Sequence, residues 1–520
     1  MLKLLLFTIL LFLQFIDIRP AKILAVYPTP SISHQIVFRC LTDELIKRGH
    51  QVTVVTPDPK YPKGESPQNL TEIDVHDISY SIWKEALIRL TSEEHKYDLR
   101  DGLVDIFKLA SAVFKAQVNA PEFKEIIRSK EKYDLLLVEA YLRPALVLSH
   151  IFKVPLIQVS SLGGLKDNYD AVGAPTHLFL YPSPIQRNIY NLSNLEKLKQ
   201  LYETWNLNRQ LRKAYEDDNI LLKSMFGPDT PTTDELFNNV DLFMINNHPI
   251  WVDNQPVPPN VVYINGLHIP PHQVLPKDLQ TYLDSSKNGV IYFSLGTNVR
   301  PELLPRQKIK MITKVFSKLP YDVLWKWNLD TLPGKSDNIK ISKWLPQSDV
   351  LRHPNVKLFI TQGGLQSTDE AITAGVPLVG IPMLGDQWYN VEKYVRHGIG
   401  VQLDMDLLTE DDFRNAIEKV INDKTYKENM LRFRSIVQDQ PMSPADRAVW
   451  WIEYVIRHGG AKHLRAAGAN ISWRQYLELD LVIIVLSVIF FMSAIFMLIV
   501  YILWKYVINN FNTNIKIKKS

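Results

Sequence analysis

The chain has 520 residues, 46% of them hydrophobic, with 59 Lys and Arg against 55 Asp and Glu. A chain of this size can bury more than one core, so two or three domains are expected at about 100–200 residues each. The net charge of +4, with no basic stripe interleaved with aromatics, argues against nucleic acid as a partner. The one cysteine, Cys40, excludes an intrachain disulfide.

In chain order, MLKLLLFTILLFLQF sets Lys3 before an apolar run of about ten residues that turns polar at Asp17 and Arg19. This is the layout of a cleavable signal peptide, over 1–20. Lys22 to Tyr27 reads as a strand, Ser33 to Arg48 as a helix with Ile36, Val37, Cys40, Leu41, Leu45 and Ile46 at helical spacing, and Gln51 to Thr56 as a strand. Together they make a βαβ unit. Cys40 reads as a buried apolar residue of that helix. Asp134 to Val138 and Pro155 to Val159 extend the sheet, and Leu242 to Ile245 is expected to close it. The stretch from about Leu162 to Phe237 is poorly patterned, and the proline-rich passage Pro256 to Pro276 reads as a linker.

Alternation resumes with strands at Val290 to Leu295, Val323 to Trp327, Val356 to Thr361 and Leu378 to Ile381, and with helices at about Arg306 to Ser317 and Gln366 to Thr373. The expected fold class is α/β: an N-terminal domain at 21–265, a linker at 266–288 and a second parallel-sheet domain at 289–455. A last helical region covers about Tyr426 to His458, and a juxtamembrane segment runs over 456–480. Leu481 to Trp504 is about 24 residues without a charge, long enough to span a bilayer core of about 30 Å. Glu478 and Asp480 precede it, and Lys505, Lys516, Lys518 and Lys519 follow within 505–520, so the positive-inside rule puts the tail in the cytosol. Lys516 and Lys518 have a spacing resembling the dilysine signal that returns membrane proteins to the endoplasmic reticulum. Sequons at Asn69, Asn191 and Asn470 suit a lumenal domain, Asn470 lying near the membrane.

The stretch FITQGGLQSTDEAITAG, Phe359 to Gly375, reads as the end of a buried strand, two glycines and a helix start. Ligands of open parallel sheets bind at strand carboxyl ends, where the following helix offers unpaired N–H groups and the positive end of its dipole. Gly363 and Gly364 permit close approach of backbone, and Gln366 and Ser367 can donate hydrogen bonds, so a phosphate fits. Two glycines alone equally suit a tight strand-to-helix turn.

With Trp344-Leu345-Pro346-Gln347 upstream and Asp386-Gln387 downstream, the span Lys343 to Gln387 resembles the donor-binding signature of UDP-glycosyltransferases. The resemblance runs over essentially the whole chain and looks like the animal UDP-glucuronosyltransferase family in its arthropod-type, membrane-bound form. It implies a GT-B fold, two Rossmann-like domains facing across a cleft that holds a UDP-sugar. Carried over by position, it implies that Trp344 stacks on uracil and Gln347 contacts base or ribose. Gln362 stands beside the diphosphate where many members have His, and Gln366 and Ser367 contact the diphosphate. Glu370 accepts from the ribose hydroxyls, and Asp386 with Gln387 holds the sugar hydroxyls. Ser294-Leu295-Gly296-Thr297 resembles the family's turn near the diphosphate. His34, at the first turn of its helix, matches the catalytic histidine. Glu139 stands where many members have an Asp partner, one methylene longer.

The resemblance implies direct, inverting displacement on a UDP-sugar co-substrate, with no cofactor and no metal. Asp404-Met405-Asp406 spells the D-x-D of metal-dependent transferases, a three-residue motif frequent by chance. Glucuronate-using members carry an Arg near the end of the strand equivalent to Leu242–Ile245; here that place is Asn246, which favours glucose. The acceptor is expected to be a small lipophilic molecule with a hydroxyl, for detoxification or conjugation. The alternatives are a UDP-glucuronosyltransferase of the same mechanism and a membrane-tethered binding protein without turnover. Nothing in the sequence excludes a homo-oligomer.

Overall fold

Apolar runs become buried parallel strands in both halves of the chain. The computed structural model describes residues 20–90, 99–129, 131–297 and 301–517; the segment through Arg19 that reads as a signal peptide and the tail lysines Lys518 and Lys519 lie outside them. Seven strands, β1 (Lys22–Val26), β2 (Gln51–Thr56), β3 (Leu70–Asp74), β4 (Leu135–Glu139), β5 (Leu156–Ser160), β6 (Val240–Ile245) and β7 (Val261–Tyr263), form a parallel sheet of order 3-2-1-4-5-6-7. Six more, β8 (Val290–Ser294), β9 (Asp322–Lys326), β10 (Ile339–Ser342), β11 (Val356–Thr361), β12 (Leu378–Gly380) and β13 (Gly400–Gln402), form a second parallel sheet of order 10-9-8-11-12-13.

Both faces of each sheet are covered, which is why the strands carry continuous rather than alternating apolar residues. In β1 and β4, Leu24, Val26, Leu136 and Val138 enter one cluster, while Ile23, Ala25, Leu135 and Leu137 enter another on the opposite face.

Several expectations are corrected. Leu242–Ile245 does not close the first sheet, because β7 pairs outside β6. β7 arises inside the proline-rich passage, since Val261 and Val262 are buried and their prolines fall outside the paired residues. The proposed linker holds the helix Lys277–Ser285, whose Leu279 and Leu283 pack in the second half's core. Tyr426 to His458 is two helices, Lys424–Gln438 and Pro444–His458, with Pro444 opening the second. The latter helix, drawn from sequence into the second domain, returns to the first: Ala448, Val449, Ile452 and Val455 join the core beside β6, β7 and the helix Ile32–Lys47.

The unpatterned stretch contains the helix Asn194–Phe226, opened by a capping box of Ser193 and Glu196. Its pattern is obscured because polar Gln200 and Asp218 share the buried face, while Leu195, Leu198, Tyr202 and Trp205 are exposed. Ser111 Oγ donates to Asp218 Oδ1 at 2.6 Å, yet burial pushes this carboxyl up to about 6. A carboxyl raised on folding takes up a proton more readily in the native state. Its stabilising share is therefore complete below pH 4 and is lost as pH rises through about 6. Asp218→Asn keeps an acceptor for Ser111. It is expected to stabilise the protein by ~2–3 kcal/mol at pH 7.5, at ~1.4 kcal/mol per pKa unit, and to change nothing at pH 4, as read from thermal midpoints at both values.

Residues after 466 form a separate unit. Within it, the helix Leu479–Ile517 contains a span, Leu479–Asn510, whose most apolar 18-residue stretch has a mean hydropathy of 3.1. Among the described residues it is the one helix long and apolar enough to cross a membrane. Of the sequons in the first unit, Asn191 is exposed in a loop, whereas Asn69 is half-buried and its amide donates to the carbonyls of Ile46 and His50. A glycan on Asn69 would compete with that turn. Cys40 is partly buried and its thiol is pushed up to about 11, chiefly by burial.

Candidate active site

The carboxyl ends of β1 and β4 in one sheet and of β8 and β11 in the other supply the site, as expected for open parallel sheets. His34 is the third residue of the helix Ile32–Lys47, and Glu139 is the last of β4. Glu139 is fully buried, with Oε1 3.0 Å from His34 Nδ1 and Oε2 accepting from Thr29 N–H at 3.0 Å. The longer Glu therefore spans the gap to the imidazole. A carboxylate at Nδ1 fixes the proton on that nitrogen and leaves the Nε2 lone pair free to take another. The Tyr141 ring lies 6.2 Å from that of His34, and its hydroxyl is tied to Ser160 Oγ at 2.7 Å and to the Gly163 carbonyl.

In the second half, Gly364 stands at the N-cap of the helix Leu365–Ala374, so the unpaired N–H groups of that helix open toward the end of β11. Gly363 has φ +91°, and a Cβ there would collide with Val391. Gly296 has φ +77°, and a Cβ would collide with Gln362 Nε2, so the turn after β8 and the loop after β11 touch at this glycine. Ser294 Oγ accepts from Gly296 N–H at 3.3 Å, and Thr297 is exposed at the end of that turn. Gln362 is buried with its carbonyl oxygen unpartnered.

Gln347, Ser367 and Glu370 form one network. Gln347 Nε2 donates to Ser367 Oγ at 2.9 Å and to Glu370 Oε2 at 2.5 Å, while its Oε1 accepts from Tyr292 OH at 3.0 Å. Trp344 is 62% exposed, leaving its ring available to stack. Asp386 stands at the N-cap position of the helix Gln387–Arg396, its carboxylate accepting from Asn390 Nδ2 at 2.8 Å rather than from a backbone N–H of the first turn. Burial raises its carboxyl above the usual range, opposed by a hydrogen bond from Asn390 and by the imidazole of His34 across the cleft.

Two residues expected at the donor point elsewhere. The Gln366 amide donates to the Ser161 carbonyl of the first half at 2.9 Å, and His268 Nε2 meets the Gln366 carbonyl at 3.1 Å. Gln387 Oε1 accepts from its own loop, at Met383 N–H (2.8 Å) and Leu384 N–H (2.7 Å). Asp404 and Asp406 are exposed beyond β13, where Asp404 Oδ1 accepts from Asp406 N–H at 2.9 Å in a local turn.

Other site residues carried no spacing signal. Lys326, at the end of β9, donates to the Gly296 carbonyl at 2.6 Å and lies 5.6 Å from the Trp344 ring; burial lowers its pKa. Ser348 Oγ donates to Glu370 Oε1 at 2.5 Å. Asn246 is fully buried just past β6, donating to the Ser161 carbonyl at 3.2 Å, with His268 Nδ1 at 3.4 Å. Burial lowers the pKa of His268.

Solved structures share this arrangement of two parallel sheets. The calicheamicin glycosyltransferase CalG4 matches with a TM-score of 0.58 over 85% of this chain and 99% of its own, at 18% identity. A UDP-glucose:anthocyanidin 3-O-glucosyltransferase in complex with UDP matches with a TM-score of 0.57 over 85% and 100%, at 17% identity. The fold is that of the GT-B glycosyltransferases.

Sequence relatives narrow the class. The family model described as "UDP-glucoronosyl and UDP-glucosyl transferase" matches residues 21–520. An ecdysteroid UDP-glucosyltransferase of Lymantria dispar multicapsid nuclear polyhedrosis virus is 37% identical over 479 residues, covering 90% of this chain and 94% of its own. The UDP-glycosyltransferase UGT5 of Dactylopius coccus is 34% identical over 492 residues, covering 92% and 91%. The chain belongs to the UDP-glycosyltransferase family and is a UDP-glycosyltransferase enzyme.

Proposed function

We propose that this enzyme transfers glucose from UDP-glucose to a hydroxyl of a small lipophilic acceptor, with inversion at the anomeric carbon. The observation that carries the reading is His34, held at 3.0 Å by the fully buried Glu139. His34 Nε2 takes the acceptor's hydroxyl proton as that oxygen bonds to the anomeric carbon. The bond from that carbon to the phosphate oxygen breaks, and its electron pair leaves with UDP. The leaving diphosphate gains negative charge beside the N-terminus of the helix Leu365–Ala374, where Gly364, Gln366 and Ser367 offer N–H groups.

Trp344 is assigned to uracil and the Gln347–Glu370 network to the ribose. Ser294, Gly296, Thr297, Gln362 and Gly363 are assigned to the diphosphate, and Asp386 to the sugar hydroxyls. Lys326, beside both the Gly296 turn and Trp344, places a cation near the position where a family histidine is replaced by neutral Gln362. These groups stabilise the leaving group without a metal ion in this reading.

Neutral Asn246 favours a neutral hexose over glucuronate, because a sugar carboxylate there would lack a charge-assisted partner. Relatives described as ecdysteroid UDP-glucosyltransferases support glucose, and they point to polycyclic hydroxylated acceptors within the lipophilic class. The apolar C-terminal helix with its basic tail supports an endoplasmic reticulum membrane anchor with the catalytic halves lumenal.

Microsomes carrying the chain, given a mixed phenol and sterol panel with UDP-glucose, UDP-glucuronic acid or UDP-galactose, test the reading by mass spectrometry of conjugates. A glucose adduct is expected. A glucuronide would overturn the assignment of Asn246, and no adduct with any donor would overturn the proposed transfer.

A further inference from the structure

Asn390 joins the two halves of the enzyme to the donor side of the cleft. It is buried on the helix Gln387–Arg396, and both N–H groups of its amide and one lone pair of its oxygen are used. Nδ2 donates to the Gly363 carbonyl at 2.9 Å and to Asp386 Oδ2 at 2.8 Å. Oδ1 accepts from Trp251 Nε1 at 2.9 Å. Indole N–H is a donor only, so the amide has one workable orientation: oxygen toward Trp251, nitrogen toward the two acceptors.

Trp251 belongs to the first half, in the turn Pro249–Val252 that follows β6. It is 2% exposed, stacked on His397 at 5.9 Å and edge-on to Phe433 at 5.9 Å, both in the second half. Around it the halves are fastened further. Lys393 Nζ donates to Asp253 Oδ2 and to Tyr190 OH, each at 2.7 Å, and Ile189 N–H donates to Glu392 Oε2 at 2.7 Å. The interface would hold without Asn390. The Asn390 amide adds something different, a direct connection from that interface to the donor loop at Gly363 and to the carboxylate of Asp386.

We propose that Asn390, aligned by the indole N–H of Trp251, is a positioning residue that sets the Asp386 carboxylate and the Gly363 loop for the UDP-sugar, so that closure of the interface and ordering of the donor subsite are one event. This rests on the reading of Asp386 as the acceptor of sugar hydroxyls. A residue of the half that does not hold the donor thereby governs donor affinity.

The test uses full-length enzyme in microsomes and the variant Trp251→Phe, which keeps the aromatic packing and removes the one N–H. The loss of a buried hydrogen bond predicts a donor KM raised about fivefold, with kcat within twofold and acceptor KM unchanged. Asn390→Asp sets a second carboxylate beside Asp386 and is expected to raise donor KM more than tenfold. Tyr389→Phe removes another hydrogen bond across the same interface, from Tyr389 OH to the Trp251 carbonyl at 3.1 Å, and should leave donor KM at the wild-type value. An unchanged donor KM in Trp251→Phe overturns the inference. So does a fall in kcat alone that tracks a lowered thermal midpoint, since that is the signature of packing. If the wild-type enzyme transfers sugar from no donor, the proposed function fails first, and the positioning role falls with it.

Discussion

His34→Ala lowers kcat by about 10³- to 10⁴-fold while UDP binding stays at the wild-type level. The upper range of general-base catalysis is expected because the proposed base, the His34 imidazole, is pre-aligned by a fully buried carboxylate. Binding is expected to be spared because the residues assigned to the nucleotide, Trp344, Gln347, Ser367 and Glu370, belong to the other half, the last three in a hydrogen-bond network of their own. Single-turnover rates paired with UDP calorimetry separate the two effects. A variant that loses UDP binding along with rate would place His34 in donor recognition instead.

Glu139→Gln is expected to cost about 10²- to 10⁴-fold in kcat although it changes shape hardly at all. Glu139 serves two groups at once, accepting from Thr29 N–H through Oε2 and meeting His34 Nδ1 through Oε1. Gln has one acceptor and one donor at those positions. With its oxygen kept on Thr29 N–H, its NH₂ faces His34 and turns Nδ1 into the acceptor, so the ring proton moves to Nε2, where the lone pair is needed. The opposite orientation sets NH₂ against a backbone N–H and loses that bond. Rate falls in either case. NMR of the imidazole nitrogens checks the tautomer, and unchanged rate with a switched tautomer would remove Glu139 from the mechanism.

Much of the fold was legible because buried parallel strands carry unbroken apolar runs: β1, β2 and β11 and the helices after β1 and β11 fall within a residue or two of their sequence positions. β3, with the sequence LTEID, was not legible, being an edge strand with two apolar residues, and β7 was hidden among prolines. The helix Pro444–His458 was visible as a helix, but its return to the first half was not, because amphipathicity fixes a buried face and not the surface that covers it. In the site, His34 and Glu139 come together although 105 residues separate them, since β1 and β4 are neighbours in the sheet. Lys326, Ser348 and Asn390 gave no signal. Each is a single polar residue whose meaning comes from a partner brought close by the fold.

The anomeric configuration of the product tests the central claim most directly. UDP-glucose is α-linked, and one displacement assisted by His34 from the face opposite UDP inverts that centre. Proton NMR of the purified conjugate is expected to show a β-glucoside as the sole anomer. An α-glucoside would contradict a single direct displacement, and with it the role given to His34 as base for the attacking hydroxyl.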